Sequence, residues 1–440
     1  MDIREKTQII IKEFNAKLIE REHIVPIILL ALYSKSHVLL LGPPGTGKTY
    51  AIQMIENFVD GIKYFEYLIT NSTKLEELFG SKYEDENGDL KYNIEHSMLD
   101  SHISFIDELY KAPSGLINSL LGVTHNSRTF YQRGRGKLVS PLISMFGASN
   151  EFPENDSVDA FDDRMLFRFW VDEIQDNHNL KRFLKRDFER NKDFSVTLDL
   201  QDILDIHSNA KNVHIPDAFV EINTKINEKF RSEKVKFSNR KLQSTLDIFQ
   251  VSAYVNGRDQ INLSELFLLM NIAWKELDDI ERVERILFDL IFGNASEVLK
   301  VLNNNREMFQ AVKSNISVQI SKTLNYSYNF YGSNAEEDFL DYKQKIIAIQ
   351  KNLEIINENI ASLKDNYTFA IDMEKMIEDN IFLPNYKNHI YLKDGEKNYD
   401  NKVNKNEIFE LSSDVNVQLN RITKWINDTP DLYEYNNKKI

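Results

Sequence analysis

The sequence predicts an α/β fold in which a parallel sheet lies between helices, followed by an all-α region and a C-terminal helical hairpin with a small extended insert. Between residues 37 and about 170, apolar strands alternate with helices, as they do in parallel sheets with helical crossovers. A glycine-rich loop joins the first of these strands to a helix. Beyond about residue 180 the strand pattern nearly vanishes and helical spacing replaces it.

The spacing of apolar residues predicts the elements of the first part of the chain. Residues 1–35 predict two helices, because Ile10, Phe14 and Leu18 recur at helical intervals. Short apolar runs predict strands at 37–41, Tyr64 to Ile69, Ile103 to Ile106, Leu142 to Ala148 and Leu166 to Trp170. Two stretches that contain glycine interrupt this rhythm. Residues 81–92 predict an exposed hairpin or loop, and residues 128–141 predict a hairpin with glycine at its tip.

Composition limits the class of protein. A chain of 440 residues with 42% hydrophobic and 28% charged residues is typical of a globular protein with two or three domains. The absence of cysteine excludes disulfides and thiolate metal sites. Neither a membrane-spanning run nor a signal peptide is visible, so we expect a cytoplasmic protein. The net charge of −14 argues against indiscriminate nucleic-acid binding.

A complete phosphate-binding loop lies after the first strand. Residues 42–49 read Gly-Pro-Pro-Gly-Thr-Gly-Lys-Thr, which fits the pattern G-x-x-x-x-G-K-[ST]. Backbone N–H groups of such a loop surround a β-phosphate at close range, which requires glycine. Lys48 is expected to reach the β- and γ-phosphates, and the Thr49 hydroxyl is expected to bind Mg²⁺. We therefore predict ATP and Mg²⁺ as ligands.

Two acids follow the third predicted strand. Ile103 to Ile106 leads directly into Asp107 and Glu108, about 60 residues after the phosphate loop. Asp107 is expected to hold Mg²⁺ through water, and Glu108 to polarise the attacking water. The alternative is a strand that ends in two surface acids.

Three further positions are candidates for contact with the γ-phosphate. Asn150 ends an apolar strand and is expected to orient water, or else only starts a turn. Arg164 and Arg168 are candidates for an arginine that stabilises transition-state charge in a neighbouring subunit. The alternative for them is a surface ion pair with Asp162 or Asp163. Arg240 opens a later helix and is a candidate for reaching the phosphates from a helical lid.

The last third of the chain predicts long helices. Eight apolar residues spaced alternately by three and four positions form a heptad seam: Phe339, Tyr342, Ile346, Ile349, Leu353, Ile356, Ile360 and Leu363. We expect this seam to pack within the chain against a helix at 405–427, with docking of a partner or another subunit as the alternative. The predicted domains are a nucleotide-binding core at 1–180, a helical lid at 181–310 and a C-terminal arm at 311–440, with an insert at about 368–404.

The order of these pieces resembles that of the AAA+ ATPases, within them the MoxR group and its RavA-like branch. The resemblance covers residues 1–310. The strings that carry it are Arg21 to Ile24, Leu78 to Gly80, Phe105 to Ala112, Leu116 to Leu121, Ala148 to Glu154 and Asp163 to Arg168. The candidate insert at 368–404 is much shorter than the compact β-rich module of RavA-like chains.

The resemblance implies a role for each site residue. It matches Lys48 and Thr49 to Walker A, Asp107 and Glu108 to Walker B, Asn150 to sensor 1, Arg164 to the arginine finger and Arg240 to sensor 2. It places Ile24 and Val25 around the adenine. The residues expected to contact nucleotide are then Ile24, Val25, Gly42, Pro43, Pro44, Gly45, Thr46, Gly47, Lys48, Thr49 and Tyr50.

The resemblance also implies an activity and partners. Members of the group act as homo-hexamers, and many work with a von Willebrand factor A-type (vWA) partner in chaperone-like remodelling or metal-cofactor insertion. The alternative function is the motor subunit of a nucleic-acid-targeting restriction or defence system. For that function Arg128, Arg133, Arg135 and Lys137 would form a basic ring of hairpins.

Overall fold

The computed structural model describes residues 1–84, 90–132, 136–153, 158–189, 191–292, 314, 318, 333–383 and 405–429. The chain divides into two compact units. One comprises Met1–Leu290 with Lys375–Tyr391, and the other comprises Ile291–Glu374 with Leu392–Ile440. The finer division into three domains stays a prediction.

The first unit contains a five-stranded sheet in which neighbouring strands run parallel. Its strands are β1 (Val38–Leu41), β2 (Tyr64–Leu68), β3 (Ile103–Asp107), β4 (Ser144–Ser149) and β5 (Phe167–Trp170), in the spatial order β5-β1-β4-β3-β2. β1 lies beside β4, and β4 lies beside β3, so the carboxyl ends of these three strands meet at one edge. The phosphate loop, Asp107 and Asn150 follow or end these strands, and the topology therefore brings them together.

The described helices surround this sheet or follow it in the chain. They are α1 (Ile3–Lys17), α2 (Val25–Tyr33), α3 (Lys48–Gln53), α4 (Leu75–Phe79), α5 (Ser114–Val123), α6 (Asp159–Asp162), α7 (Asn177–Lys185), α8 (Leu200–Asn209), α9 (Asp217–Ser232), α10 (Asn239–Val255), α11 (Leu277–Phe292), α12 (Ala335–Asp379) and α13 (Lys405–Asp428). Helix α2 is apolar on every side and all its residues are buried. The parallel sheet with flanking helices and later helical region confirms the predicted α/β fold.

Both predicted hairpins form. Ser81–Glu84 pairs antiparallel with Leu90–Asn93, and Thr129–Gln132 pairs antiparallel with Gly136–Val139. Gly80 enters the first hairpin at φ 95°, where a Cβ would lie 2.1 Å from the Asn93 carbonyl oxygen, so only glycine fits. The tip of the second hairpin, with Arg133 and Arg135, lies outside the described residues.

Arg128, one of the four residues of the alternative basic ring, bonds to backbone carbonyl oxygens at the base of the second hairpin. Its guanidinium donates to the carbonyl oxygens of Thr124 at 3.2 Å and Ile143 at 3.0 Å, and also to that of Lys35. Burial lowers the pKa of Arg128 to about 10. These bonds fasten the base of the second hairpin to the sheet, so Arg128 has a structural role.

Residues 380–383 are tied to the helical region of the first unit by buried hydrogen bonds. The Asn380 amide donates to Glu265 Oε1 at 2.9 Å and to Ser264 Oγ at 3.1 Å. Asn256 donates to Asn380 Oδ1 at 3.0 Å and accepts from the Ile381 N–H. Because Glu265 is fully buried, these polar groups depend on one another for partners.

The predicted start of the C-terminal insert at 368 was wrong. Helix α12 runs for 45 residues and ends at Asp379. Met373 and Ile377 are buried, and they continue the apolar face past residue 368. The rest of the expected insert, 384–404, lies outside the described residues.

The heptad seam packs within the chain, as predicted. Phe339, Tyr342, Ile346 and Leu353 of α12 form one apolar cluster with Ile422 of α13. Further members of this cluster include Ile349, Leu419, Trp425 and Ile426. The two helices therefore form the helical hairpin of the second unit. Across the described part of the chain, we find no helix with the length and apolarity that crossing a bilayer requires.

Candidate nucleotide site

The phosphate loop connects β1 to α3, and its glycines hold a backbone that other residues disfavour. Gly42 lies at φ 146°, where an added Cβ would come within 2.2 Å of the Val171 carbonyl oxygen. Gly47 precedes the first residue of α3 at φ 82°. Glycine at these two positions thus permits both the close approach to the end of β5 and the left-handed turn into the helix.

Lys48 is oriented by neutral acceptors. Its Nζ donates to the carbonyl oxygens of Gly42 and Pro43, each at 2.8 Å, and to Asn150 Oδ1 at 3.0 Å. Burial lowers the pKa of Lys48, although the charges of Asp107 and Glu108 oppose this shift. Since the ammonium bonds only neutral oxygens here, an anion such as a phosphate would gain from its charge.

Asn150 links Lys48 to Glu108. While its Oδ1 accepts from Lys48, its Nδ2 donates to Glu108 Oε1 at 2.7 Å. The reversed amide would set its NH₂ group against the ammonium and its oxygen against the carboxylate, so the two charges fix its orientation. The chain Lys48–Asn150–Glu108 brings together three of the predicted site residues.

Glu108 has an unusual backbone. It lies just after β3 at φ 54° and ψ 40°, in the left-handed region that non-glycine residues rarely adopt. Its Oε2 is 3.3 Å from Lys111 Nζ, and its backbone N–H donates to Asp107 Oδ1 at 2.9 Å. The turn after β3 thus aims Asp107 and Glu108 in different directions, at a cost of about 1–3 kcal/mol.

Thr49 and Asp107, the two residues predicted to hold Mg²⁺, contact each other. Thr49 Oγ1 donates to Asp107 Oδ2 at 3.2 Å. No cluster of three or more His, Asp or Glu side chains suited to a metal exists among the described residues. One carboxylate and one hydroxyl fit Mg²⁺, which keeps several waters and takes further oxygens from substrate phosphates. The donor set therefore suits a metal that arrives with a nucleotide.

Arg21 braces the phosphate loop, a role that the sequence did not reveal. One Nη donates to the Thr46 carbonyl oxygen at 2.9 Å and to the Asp172 carbonyl oxygen at 2.6 Å. Arg21 is 7% exposed, and burial lowers its pKa. The only signal was its place in the string Arg21 to Ile24, which marks family resemblance but names no contact.

The arginines near α6 have different environments. Arg168 is 1% exposed and its Nη2 lies 2.5 Å from Asp162 Oδ2, so it is a buried structural residue. Arg164 donates to the Ala160 carbonyl oxygen at 2.7 Å. Burial and the charge of Arg240 lower the pKa of Arg164. Of the two candidate fingers, Arg168 is buried and Arg164 is partly exposed.

Arg240 contacts Asp163, the residue that precedes Arg164 in the chain. Its Nη1 is 3.3 Å from Asp163 Oδ2, and the Ser238 hydroxyl donates to the Asp163 carboxylate, with Oγ 2.9 Å from each carboxylate oxygen. The surface ion pair that the sequence offered as an alternative for Arg164 is thus made by Arg240. The roles of Arg164 and Arg240 at a phosphate stay predictions.

Ile24 and Val25 are the residues expected around the adenine, and Tyr50 is a further residue expected to contact nucleotide. Ile24 and Val25 stand at the start of α2 and are buried. Tyr50 lies in the first turn of α3, with Lys192 Nζ 6.0 Å from its ring centre. Contact of these three residues with nucleotide stays a prediction.

Comparison with known proteins identifies the class. A family model described as the AAA lid domain matches residues 214–287. The fold is similar to that of a proposed ATPase from Cytophaga hutchinsonii, with a TM-score of 0.52 at 16% identity over 65% of this chain and 94% of that chain. Together with the phosphate loop and the Asp107–Glu108 pair, these matches define an AAA+ ATPase.

The particular family follows from two further comparisons. Residues 5–207 match the family model described as the MoxR domain in the MoxR-vWA-beta-propeller ternary systems. Two uncharacterized proteins of Methanocaldococcus jannaschii, MJ0079 and MJ0812, are 32% and 31% identical. These matches cover 68% and 67% of this chain, and 78% and 79% of those proteins. The chain belongs to the MoxR-type AAA+ ATPases.

Proposed function

We propose that the chain hydrolyses ATP to ADP and phosphate with Mg²⁺, in a ring of identical subunits that remodels a partner protein. The observation that carries the proposal is the hydrogen-bonded chain Lys48–Asn150–Glu108, beside Thr49 and Asp107. A phosphate binder, a metal-holding pair and a carboxylate base lie together at one edge of the sheet. Binding alone would not require Glu108.

Each residue has a defined task in this proposal. Lys48 binds the β- and γ-phosphates, Thr49 and Asp107 hold the metal, and Glu108 accepts a proton from the attacking water. Mg²⁺, when bound, offsets the charge of the phosphates. Asn150 holds Glu108 Oε1 and is placed to orient the same water once phosphate engages Lys48.

Glu108→Gln tests the base. We expect ATP binding within a few-fold of the unaltered chain and turnover lower by about 10²–10⁴-fold, because the amide accepts no proton. Binding is measured with a fluorescent nucleotide and turnover by phosphate release. Glu76→Gln is the matched control, since Glu76 also lies 3.3 Å from a lysine, Lys82, but on an exposed surface. Normal turnover in Glu108→Gln would contradict this assignment.

We infer that Arg164 and Arg240 serve the nucleotide of a neighbouring subunit together. Arg240 pairs with Asp163, the residue that precedes Arg164 in the chain. Burial lowers the pKa of Arg164, and the positive charge of Arg240 lowers it further. Two cations held this close repel one another, and an added phosphate would relieve that repulsion.

Mixed oligomers test this sharing. Arg164→Ala alone should lose turnover while keeping ATP binding, and co-assembly with Lys48→Ala subunits should restore part of it. The mixture of Arg164→Ala with Arg240→Ala should stay inactive, because every subunit then lacks one arginine of the pair. Rescue in that second mixture would place Arg240 at its own subunit's nucleotide instead.

The partners follow from the family description. Because the matching model is described by MoxR-vWA-beta-propeller ternary systems, we propose a vWA protein and a β-propeller protein as partners. Chaperone-like remodelling, the hexamer and the RavA-like branch stay predictions. Co-purification of the chain with a candidate vWA protein, with turnover measured before and after addition, tests the partnership. An unchanged rate and no complex would contradict it.

A further inference from the structure

A buried polar chain joins the turn after β3 to α6. Tyr110 lies two residues beyond Glu108, and its hydroxyl donates to Asp162 Oδ1 at 2.5 Å. Asp162 ends α6 and is 3% exposed, and its other carboxylate oxygen lies 2.5 Å from Arg168 Nη2. Arg164, the proposed finger, follows Asp162 by two residues. The turn that carries Glu108 is thus one hydrogen bond away from the segment that carries Arg164.

The charges around Asp162 make this contact costly to lose. Burial raises the pKa of Asp162, but Arg168 and the Tyr110 hydroxyl outweigh burial and leave it below its ordinary value. Burial, followed by the charge of Asp162, raises the pKa of Tyr110, which therefore stays a neutral donor. A buried carboxylate left without one of its partners is strongly disfavoured, so Tyr110 and Asp162 are expected to move together.

The two ends of α6 are held by the helical region. Asp163 accepts from Ser238 Oγ, the N-cap of α10, at 2.9 Å. At the start of α6, Asp159 Oδ1 accepts from Lys275 Nζ at 2.5 Å. Helix α6 is therefore held both by the helical region and by Tyr110.

We propose that Tyr110 is a positioning residue which sets the orientation of Arg164 through Asp162. It touches neither nucleotide nor metal in this scheme. Lys111, the next residue in the same turn, lies 3.3 Å from Glu108 Oε2. In this proposal, a movement of Glu108 shifts the turn, and the Tyr110–Asp162 bond then shifts α6. The inference rests on the proposed function, because it assumes that Arg164 serves a neighbouring site.

Placement of Tyr110→Phe in mixed oligomers tests the inference. In the active mixture, Lys48→Ala subunits donate Arg164, and Arg164→Ala subunits supply the working nucleotide site. Tyr110→Phe on the donor should lower the restored turnover by about fivefold or more, the worth of one hydrogen bond. The same change on the Arg164→Ala subunit should leave restored turnover within about twofold.

Other patterns would overturn the inference. Equal loss from both placements indicates a general structural effect, and loss only from the Arg164→Ala placement indicates support of Glu108 instead. Tyr67→Phe is the control, because the Tyr67 hydroxyl also donates to a carboxylate, that of Glu77, on an exposed surface. It should leave turnover unchanged in either placement.

Turnover measured on one variant at a time, without mixing, separates this inference from the proposed function. Tyr110→Phe should lower the turnover of the unaltered chain by about fivefold, but it should not lower the residual turnover of Arg164→Ala any further. Additive losses would contradict action through Arg164, even if the mixtures cannot be formed. An unaltered chain with no ATP turnover would instead contradict the proposed function, and this inference with it.

Discussion

At the scale of single residues, the site depends on charges that lack full compensation. Lys48 donates to two carbonyl oxygens and one amide oxygen, and none of these three acceptors carries a charge. The Asn150 amide, which accepts from Lys48, donates to Glu108 Oε1. In the proposed mechanism, a phosphate bound to Lys48 would leave Glu108 as the charged partner of the Asn150 amide. Asn150 would then connect phosphate binding to Glu108.

Lys241 provides a pH-dependent prediction. It is 4% exposed, and burial, helped by Arg168, lowers its pKa to about 7 from 10.5. Between these values the unfolded chain binds more protons, so the contribution of Lys241 to stability rises with pH and is lost as pH falls towards 7. Relative to Lys241→Met, the unaltered chain should gain about 2 kcal/mol from pH 7 to pH 9.

Denaturant titrations across this pH range measure the effect on the free energy of unfolding. Lys225→Met, which changes an exposed lysine on α9, is the control and should leave the pH dependence unaltered. Parallel curves for Lys241→Met and the unaltered chain would show that Lys241 is not titrating between pH 7 and pH 9.

At the scale of elements, helix α5 is placed by a glycine. A Cβ on Gly122 would lie 2.3 Å from the carbonyl oxygen of Thr129, the first residue of the second hairpin. The helix and hairpin therefore approach each other at backbone distance. Arg128 adds bonds from the same hairpin base to the sheet. The base of the hairpin therefore lies against helix α5 and is bonded to the segment that leads into β4.

Alanine at two glycines of α5 should have opposite effects. Gly122→Ala should lower the free energy of unfolding by about 1–3 kcal/mol, because the hairpin must shift. Gly115→Ala, on the same helix with nothing within 4 Å of the added Cβ, should raise it by up to about 1 kcal/mol. Chemical denaturation measures both. Stabilisation by Gly122→Ala would show that the close approach is dispensable.

At the scale of the whole molecule, the second unit has its own apolar core. The cluster of Phe339, Tyr342, Ile346, Leu353 and Ile422 draws on α12 and α13 alone among the described residues. Residues 380–383, by contrast, bond to the helical region of the first unit. Removal of 335–430 would strip those bonds from buried Glu265, so single substitutions in the seam test the hairpin more cleanly.

Leu353→Ala should destabilise the helical hairpin. Leu353 is fully buried, and its loss should cost about 2–5 kcal/mol of local stability, whereas Leu340 on the same helix is 58% exposed. Hydrogen exchange should therefore accelerate in α12 and α13 for Leu353→Ala and hardly change for Leu340→Ala. ATP turnover should stay near its original value in both. Loss of turnover in Leu353→Ala would mean that the hairpin supports the nucleotide site.

The amino-acid sequence by itself determined the α/β core, its five strands and the chain positions of Lys48, Asp107, Glu108 and Asn150. These follow from local signals, since apolar period and glycine spacing act over a few residues. The heptad spacing likewise predicted the packing of α12 on α13.

Only the tertiary structure decided the burial and the bonding partners of each arginine. Arg128, Arg164, Arg168 and Arg240 look alike in the sequence. Arg128 bonds to backbone carbonyl oxygens, Arg168 is buried beside Asp162, and Arg240 pairs with Asp163. The brace by Arg21 and the bond from Tyr110 to Asp162 also join residues far apart in the chain. Such contacts depend on where the sheet brings distant segments together, and no local pattern records that.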